Sequence, residues 1–313
     1  MTRAELYFGL DIGGTKIELA ACDAALAVVH RQRIATPAAD FDDFVAQTAA
    51  LVRDAETALG RSATAIGLGM PGVVDPASGY QLSSNVPALN GRQVAPALEA
   101  ALGRPVHMGN DCQCFALSEA QGGAADGLPS MFGAILGTGA GGGYCVGGRL
   151  VAGYNGLAGE WGHWPVPAAQ LLQHDLPLLD CPCGLRGCLE RYVSGTGLAT
   201  LHRLRSTDSE PAADAAAVHA LAAEGDEAAT DALAIHLDLL AQGLAGLVLA
   251  LDPHAIVLGG GLSKLQRLYD ELPAAMARHL FRGARVPPLL PPRFGDAGGA
   301  RGAALLARQR CGA

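Results

Sequence analysis

The chain has 313 residues, half of them apolar, enough for two domains and a sizeable core without disulfide staples. Its formal net charge of −8 excludes a surface built to neutralise nucleic-acid phosphates or to lie on anionic lipid. The sequence shows neither a signal-peptide apolar region nor an uncharged apolar run of about eighteen residues, so a soluble cytoplasmic protein is expected, with no nucleic acid and no membrane among its partners.

Residues 6–10 and 17–22 are short β-prone runs separated by Asp-Ile-Gly-Gly-Thr-Lys, and read as a hairpin opening an α/β domain. A more polar run reaches Pro37, and 41–59 carries apolar residues at helical spacing. Further strands are expected at 65–69 and 105–108 with a loop-rich stretch between them, followed by a helix at 112–121. After a composition break at 122–129 the opening pattern restarts, with strand 131–136, a glycine turn at 137–143 and a second strand. Residues 195–251 are mostly helical, 255–261 is a buried strand ending in glycines, and 263–280 and the C-terminal 297–310 are helices. The expected domains are 1–121 together with 293–313, where the last helix returns to the first domain, and 122–292.

The glycines cluster between apolar runs and carry the first functional signal. Gly13, Gly14 and Thr15 lie between two strands, which excludes the P-loop and dinucleotide fingerprints, because each of those needs a helix after its glycines. Alone, such a hairpin is a tight turn. It also lets an anion approach backbone N–H groups, with Thr15 adding a hydroxyl, Lys16 a charge, and Asp11 a carboxylate able to orient Mg²⁺ through water. Gly137, Thr138, Gly139, Gly141 and Gly142 recur in the same strand context, and Gly259, Gly260 and Gly261 follow a third strand and precede a helix. Repetition of the device points to a nucleotide held between two similar domains, with ATP the economical choice.

Of the eight cysteines, Cys22, Cys112, Cys114 and Cys145 read as small hydrophobes beside apolar segments, and Cys311 as an exposed tail thiol. Cys181, Cys183 and Cys188 are too compact for a redox pair and suit one tetrahedral ion, for which spacing leaves both His163 and His174 as the fourth ligand. Such a closed site fixes a loop and does not activate water. Asp111, following Asn110 at the start of a helix, reads from position alone as an N-cap.

Together, DIGGTK (11–16), GMPG (69–72), ND (110–111), GTGAGGG (137–143), GEWGH (159–163), CPCGLRGCLE (181–190) and GGGLS (259–263) occur in the order found in the ROK family, and the whole chain resembles that family's sugar-kinase branch. The resemblance implies an α/β duplicated actin/hexokinase-like (ribonuclease H-like) fold of two domains with an interdomain cleft. It implies ATP and catalytic Mg²⁺, and a structural Zn²⁺ on Cys181, Cys183, Cys188 and His163. It also implies Asp111 as general base, with Gly72, Asn85, Asn110, Glu160, His163 and Glu190 around the sugar. The texture of SSNVPALNG, CFALSEA, VLGGGLSK and GDAGGARGAA is most similar to the branch that phosphorylates N-acetyl-D-glucosamine to its 6-phosphate. Glucokinase or fructokinase specificity competes with that expectation. A sugar-sensing regulator is disfavoured, because those proteins carry an N-terminal helix-turn-helix and only five residues precede the first strand here. A homodimer is compatible with the resemblance, although no interface is legible. Two positions depart from the family pattern: Gln113, commonly Asn, is expected to face Asp111 or the helix cap, and Pro182, commonly Gly, is expected to stiffen the cysteine loop.

Overall fold

The computed structural model describes residues 5–75, 77–81, 86–207, 212–295 and 298–311. In chain order these form β1 (Leu6–Ile12), β2 (Lys16–Asp23), β3 (Val28–Ala35), α1 (Phe41–Leu59), β4 (Ala65–Met70), α2 (Val94–Leu102), β5 (Val106–Asn110) and α3 (Asp111–Ala120). They continue as β6 (Ser130–Leu136), β7 (Ala140–Val146), β8 (Arg149–Leu150), α4 (Ala168–Gln173), α5 (Glu190–Val193), α6 (Gly195–Arg205), α7 (Ala215–Ala223) and α8 (Glu227–Leu251). The last are β9 (Ile256–Gly259), α9 (Gln266–Ala277), β10 (Leu289–Leu290) and α10 (Gly298–Cys311).

The strands make two five-stranded sheets, ordered β3-β2-β1-β4-β5 and β8-β7-β6-β9-β10. In the first, β1 pairs antiparallel with β2 and parallel with β4, and β4 pairs parallel with β5. The second repeats this connectivity: β7 pairs antiparallel with β8, and β9 runs parallel to both β6 and β10. One chain order thus generates the same mixed sheet twice, a duplicated α/β fold.

Compact units comprise residues 1–127, 143–158 and 293–313 in one case, and 128–142 and 159–292 in the other. Residues 143–158 join the first unit for a visible reason. A Cβ on Gly143 would press on Ala116 and Gln113 of α3, and Gln113 Nε2 donates to the carbonyls of Gly156 (2.9 Å) and Ala158 (3.1 Å).

The polar run before Pro37 contains β3, an edge strand whose residues alternate between half-buried and exposed and whose charged members face water. The glycine turn expected over 137–143 is shorter than the sequence suggests. Only 137–139 turn, while Gly141, Gly142 and Gly143 lie inside β7, where a side chain on Gly142 would strike the ring of Phe132. α1 fits its expected bounds because Asp40 caps its first turn through Asp43 N–H and Gly60 closes it at φ 61°.

The core of the first unit includes Phe8, Leu10, Ile17, Leu19, Phe44, Val52 and Leu68 on one side of the sheet. On the other side α10 approaches β1, β4 and α3 backbone to backbone: a Cβ on Gly9, Gly67 or Gly302 would overlap the carbonyl of Ala300, Ala303 or Cys114 respectively. In the second unit α8 is long and apolar enough to cross a membrane by composition alone, but two thirds of its apolar window is buried against protein. Cys22, Cys114 and Cys145 are buried and Cys311 is exposed.

Because Ala303 O is backbone on a helix packed along its length, it cannot move aside. Gly67→Ala is therefore expected to cost about 3 kcal/mol or more, read as a lower urea midpoint; an unchanged midpoint would show that α10 is not seated on β4 in solution.

Candidate active site

In the first unit the β1–β2 hairpin closes through Gly13 N–H to Lys16 O (2.9 Å) and is held from the side by Thr36. The Thr36 hydroxyl donates to Gly13 O (2.6 Å) and its N–H to Thr15 O (3.1 Å). Gly14, Thr15 and Lys16 are exposed at the tip, and Lys16 Nζ lies 3.6 Å from Glu18. Asp11, at the end of β1, lies against the backbone of Gly299 in the first turn of α10. Its carboxyl is pushed up to about 7, first by burial and then by the charges of Asp111 and Glu18, with Lys16 opposing.

Asn110, not Asp111, caps α3: its Oδ1 accepts the Cys112 N–H at 2.9 Å, leaving Asp111 in the first turn with Oδ1 2.8 Å from the same N–H. Asn110 Nδ2 reaches back to Gly72 O at 3.4 Å, and Gly72 holds a φ of 86° that a side chain would strain. Asp11, Gly72, Asn110 and Asp111 are thus gathered in one unit. Burial lifts the Asp111 carboxyl above the usual carboxylate range, and the Cys112 N–H acts against that shift. Asn85 lies outside the described residues. Gln113 faces neither Asp111 nor the cap. Its longer side chain lies buried and ties the backbone of residues 156–158 to α3.

In the second unit the turn 137–139 is held by α6. Gly195 N–H donates to Gly137 O (2.7 Å), and the Thr196 hydroxyl donates to Thr138 O (2.6 Å). Gly260, at φ 78°, brings the chain after β9 so close to Leu136 O that a Cβ there would overlap it. A cavity of about 480 Å³ opens between these segments and α7. Its walls include Gly137, Thr138 and Gly261 from the predicted glycine set, together with residues that sequence reading missed, chiefly Thr196, Asp214 and His219.

Glu160 precedes and His163 ends a 3₁₀ turn, Trp161–His163, that Trp161 anchors by donating Nε1–H to Gly141 O at 2.8 Å. Backbone bonds from Val166 N–H to Gly187 O (2.9 Å) and from Leu189 N–H to Trp164 O (2.8 Å) bring this turn to the cysteine loop. The ligand atoms of His163, Cys181, Cys183 and Cys188 all lie within 4.8 Å of one another. Cys183 and Cys188 sulfurs are 3.6 Å apart and Cys181 Sγ is 3.9 Å from His163 Nδ1, within a few tenths of an ångström of the edges of about 3.8 Å (sulfur–sulfur) and about 3.5 Å (sulfur–nitrogen) that bonds of about 2.3 Å and 2.0 Å to one tetrahedral ion require. The donor set fits a metal. His174, the other candidate ligand, is committed elsewhere, its Nε2 2.8 Å from Asp238.

Glu190 links the two halves of this unit. Cys181 Sγ donates to its Oε1 (3.2 Å), and Ala140 N–H, next to the glycine turn, donates to its Oε2 (3.3 Å). His163 Nδ1 faces the sulfurs and Glu190, whereas Nε2 lies 3.6 Å from Glu160 Oε2.

Residues 7–310 match the ROK family. The chain belongs to that family. Among curated ROK relatives, N-acetylgalactosamine kinase AgaK of Shewanella sp. (strain ANA-3) is 47% identical over 96% of this chain and 96% of its own length. N-acetyl-D-glucosamine kinase of Yersinia enterocolitica is 41% identical over 96% and 99%. Among solved structures, the ROK hexokinase from Thermus thermophilus superposes with a TM-score of 0.88 at 33% identity, covering 98% of this chain and 99% of its own. The ROK glucokinase from Streptomyces griseus, in complex with glucose and AMPPNP, gives 0.76 at 30% identity, with 97% and 99% covered. The fold is therefore the actin/hexokinase-like fold of the ROK sugar kinases.

A carboxylate whose folded pKa lies above its unfolded value costs stability above the unfolded value and nothing below it. Asp111→Asn is accordingly expected to raise the melting temperature at about pH 8 and to leave it unchanged at about pH 3. Thermal scans across pH check this, and an equal effect at both ends would rule out a desolvated charge at Asp111.

Proposed function

We propose that this chain is an ATP-dependent sugar kinase that converts N-acetyl-D-glucosamine to N-acetyl-D-glucosamine 6-phosphate, acting as a soluble cytoplasmic enzyme. The observation that carries the reading is the near full-length match to curated kinases of acetamido sugars. In this reading Asp111 accepts the proton of the sugar 6-hydroxyl as its oxygen bonds to the γ-phosphorus, the bond from that phosphorus to the β,γ-bridging oxygen breaks, and ADP leaves. A desolvated carboxylate suits the role, because burial raises its pKa and so strengthens it as a base.

Gly72, Asn85 and Asn110 in the first unit, and Glu160, His163 and Glu190 in the second, hydrogen-bond the sugar hydroxyls and the acetamido group. Polar groups left unpaired by the wrong sugar make such a site selective. Gly13, Gly14, Gly137 and Gly139 shape the two turns, the Gly13 and Gly137 N–H groups closing them; the N–H groups at the turn tips, the hydroxyls of Thr15 and Thr138, and Lys16 receive the phosphates, while Gly259–Gly261 border the nucleotide. Asp11 would hold Mg²⁺ through water, and the ion would supply neutralisation of phosphate charge. Cys181, Cys183, Cys188 and His163 would hold Zn²⁺, leaving His163 Nε2 free toward the sugar.

The relative at 47% identity favours one second reading, N-acetyl-D-galactosamine as substrate, which differs only in the orientation of the 4-hydroxyl. ADP release with Mg-ATP across N-acetylglucosamine, N-acetylgalactosamine, N-acetylmannosamine, glucose and fructose separates the readings. N-acetylglucosamine is expected to give the highest kcat/KM, a maximum on N-acetylgalactosamine would move the substrate by one epimer, and silence across the panel would remove the kinase assignment. Cys183→Ser is expected to lose bound zinc in elemental analysis and to weaken sugar binding by about 10-fold or more. A full zinc complement in that variant would overturn the metal assignment.

A further inference from the structure

After β4 the chain runs out through Pro71 and Gly72 and returns at Gln81, which bridges Val74 antiparallel. The return is held by backbone. Asp75 N–H donates to Tyr80 O (2.9 Å), Gln81 N–H donates to Arg92 O (2.9 Å), and Gln81 O accepts Gly91 N–H (2.7 Å). The Gln81 side chain is nonetheless only 1% exposed, and its Nε2 donates to Pro71 O at 2.9 Å. Burying an amide is costly unless it is hydrogen-bonded, and this one spends its bond on a single peptide group ten residues back.

That peptide is the one the backbone leaves undecided. Proline followed by a glycine at φ 86° is the pattern of a type II turn, and type I differs from it by turning over the peptide between the two residues. Glycine accepts either sign of φ, so neither arrangement strains Gly72. The bond is trans, so its C=O and N–H point to opposite sides. Gln81 fixes the carbonyl and thereby aims Gly72 N–H the other way. Among the described residues that N–H has no hydrogen-bond partner. The Gly72 carbonyl is occupied, facing Asn110 Nδ2 at 3.4 Å, and Asn110 caps the helix that begins with Asp111. A spare donor is thus presented one hydrogen bond from the residue that precedes the proposed base.

We infer that Gln81 is a positioning residue of the sugar site, deciding by its hold on Pro71 O that the 71–72 peptide offers the sugar an N–H and not a carbonyl. The inference rests on the kinase reading, in which Gly72 borders the sugar, and adds to it the side chain that sets which group Gly72 presents. Gln81 itself does not touch the sugar. With its donor removed, Pro71 O loses its partner and the peptide is free to turn over, which sets a carbonyl against the sugar oxygen that the N–H would have met.

Initial rates and titration calorimetry with N-acetylglucosamine test this. Gln81→Leu keeps the bulk and removes the donor; it is expected to raise KM for N-acetylglucosamine about 10-fold while kcat and the KM for ATP stay within about 2-fold, the pattern of lost sugar binding. Gln81→Glu supplies a side chain that donates only when protonated. Its sugar affinity relative to wild type is expected to match that of Gln81→Leu at about pH 8 and to recover toward wild type at about pH 5.5, with burial raising the introduced carboxyl into that range. Because the second variant is compared with wild type at each pH, the test survives a Leu variant that fails to fold, and titration of groups common to both proteins cancels. An unchanged KM for the sugar in Gln81→Leu, a rise shared equally by ATP, or a Gln81→Glu deficit that acid does not shrink would overturn the assignment. A wild-type chain that phosphorylates the sugar normally beside an unaffected variant defeats only the role of Gln81, whereas a wild type that neither binds nor phosphorylates any sugar of the panel would remove the kinase reading with it.

Discussion

Glu190 is the point on which the second unit depends. Its carboxylate accepts Cys181 Sγ on one oxygen and the Ala140 N–H on the other, so the cysteine loop and the glycine turn cannot be placed independently. The ligand atoms of His163, Cys181, Cys183 and Cys188 gather within 4.8 Å of one another, and their closure draws the 3₁₀ turn with Glu160 to the same place. Trp161 completes the frame, buried and bonded to Gly141 O, so the side chains on either side of it are aimed by a rigid anchor. Residues proposed for the sugar and residues proposed for the phosphates are therefore parts of one hydrogen-bonded frame within the unit.

In the first unit electrostatics takes the corresponding part. Asp11 near the end of β1 and Asp111 just after β5, the strand on the far side of β4, are both half-buried and desolvated, and the charge of Asp111 adds to the cost of ionising Asp11. Such a pair stores unfavourable energy that a bound cation or a transferred proton relieves. The close seating of α10 keeps the pair in place. Gly299 leaves no room for a side chain where Asp11 sits, and Gly9, Gly67 and Gly302 let helix and sheet approach to backbone contact.

Much of this was legible without coordinates. The hairpins, α1, the strands β4, β5, β6 and β9 and the terminal helix follow from hydrophobic period, capping residues and glycine placement, all of which act over a few residues. The motif set was legible for the same reason, since each motif is a short segment whose chemistry needs its residues adjacent in sequence. β3 was missed because an edge strand with charged outward residues lacks the apolar run that marks a buried one. Glycines 141–143 misled because a glycine required by a facing ring or helix looks in sequence like a glycine required by a turn.

The choice between His163 and His174 shows the limit. Spacing permitted both, and only the pairing of residues 164–166 with 187–189 brought His163 to the sulfurs while Asp238 held His174 elsewhere. Gln113 was read as a neighbour of Asp111 because it lies two positions away in sequence, yet on a helix the i and i+2 side chains diverge, and its amide serves the 156–158 backbone. Thr36 and Thr196 carry no local signature, since each acts on a segment far along the chain. The sequence by itself determined the elements, their duplicated order and the family, because local pattern and motif suffice for these. Which side chains meet, which histidine faces the thiols, and which helix closes the cavity were decided only by tertiary structure, because packing brings together residues whose separation along the chain is arbitrary.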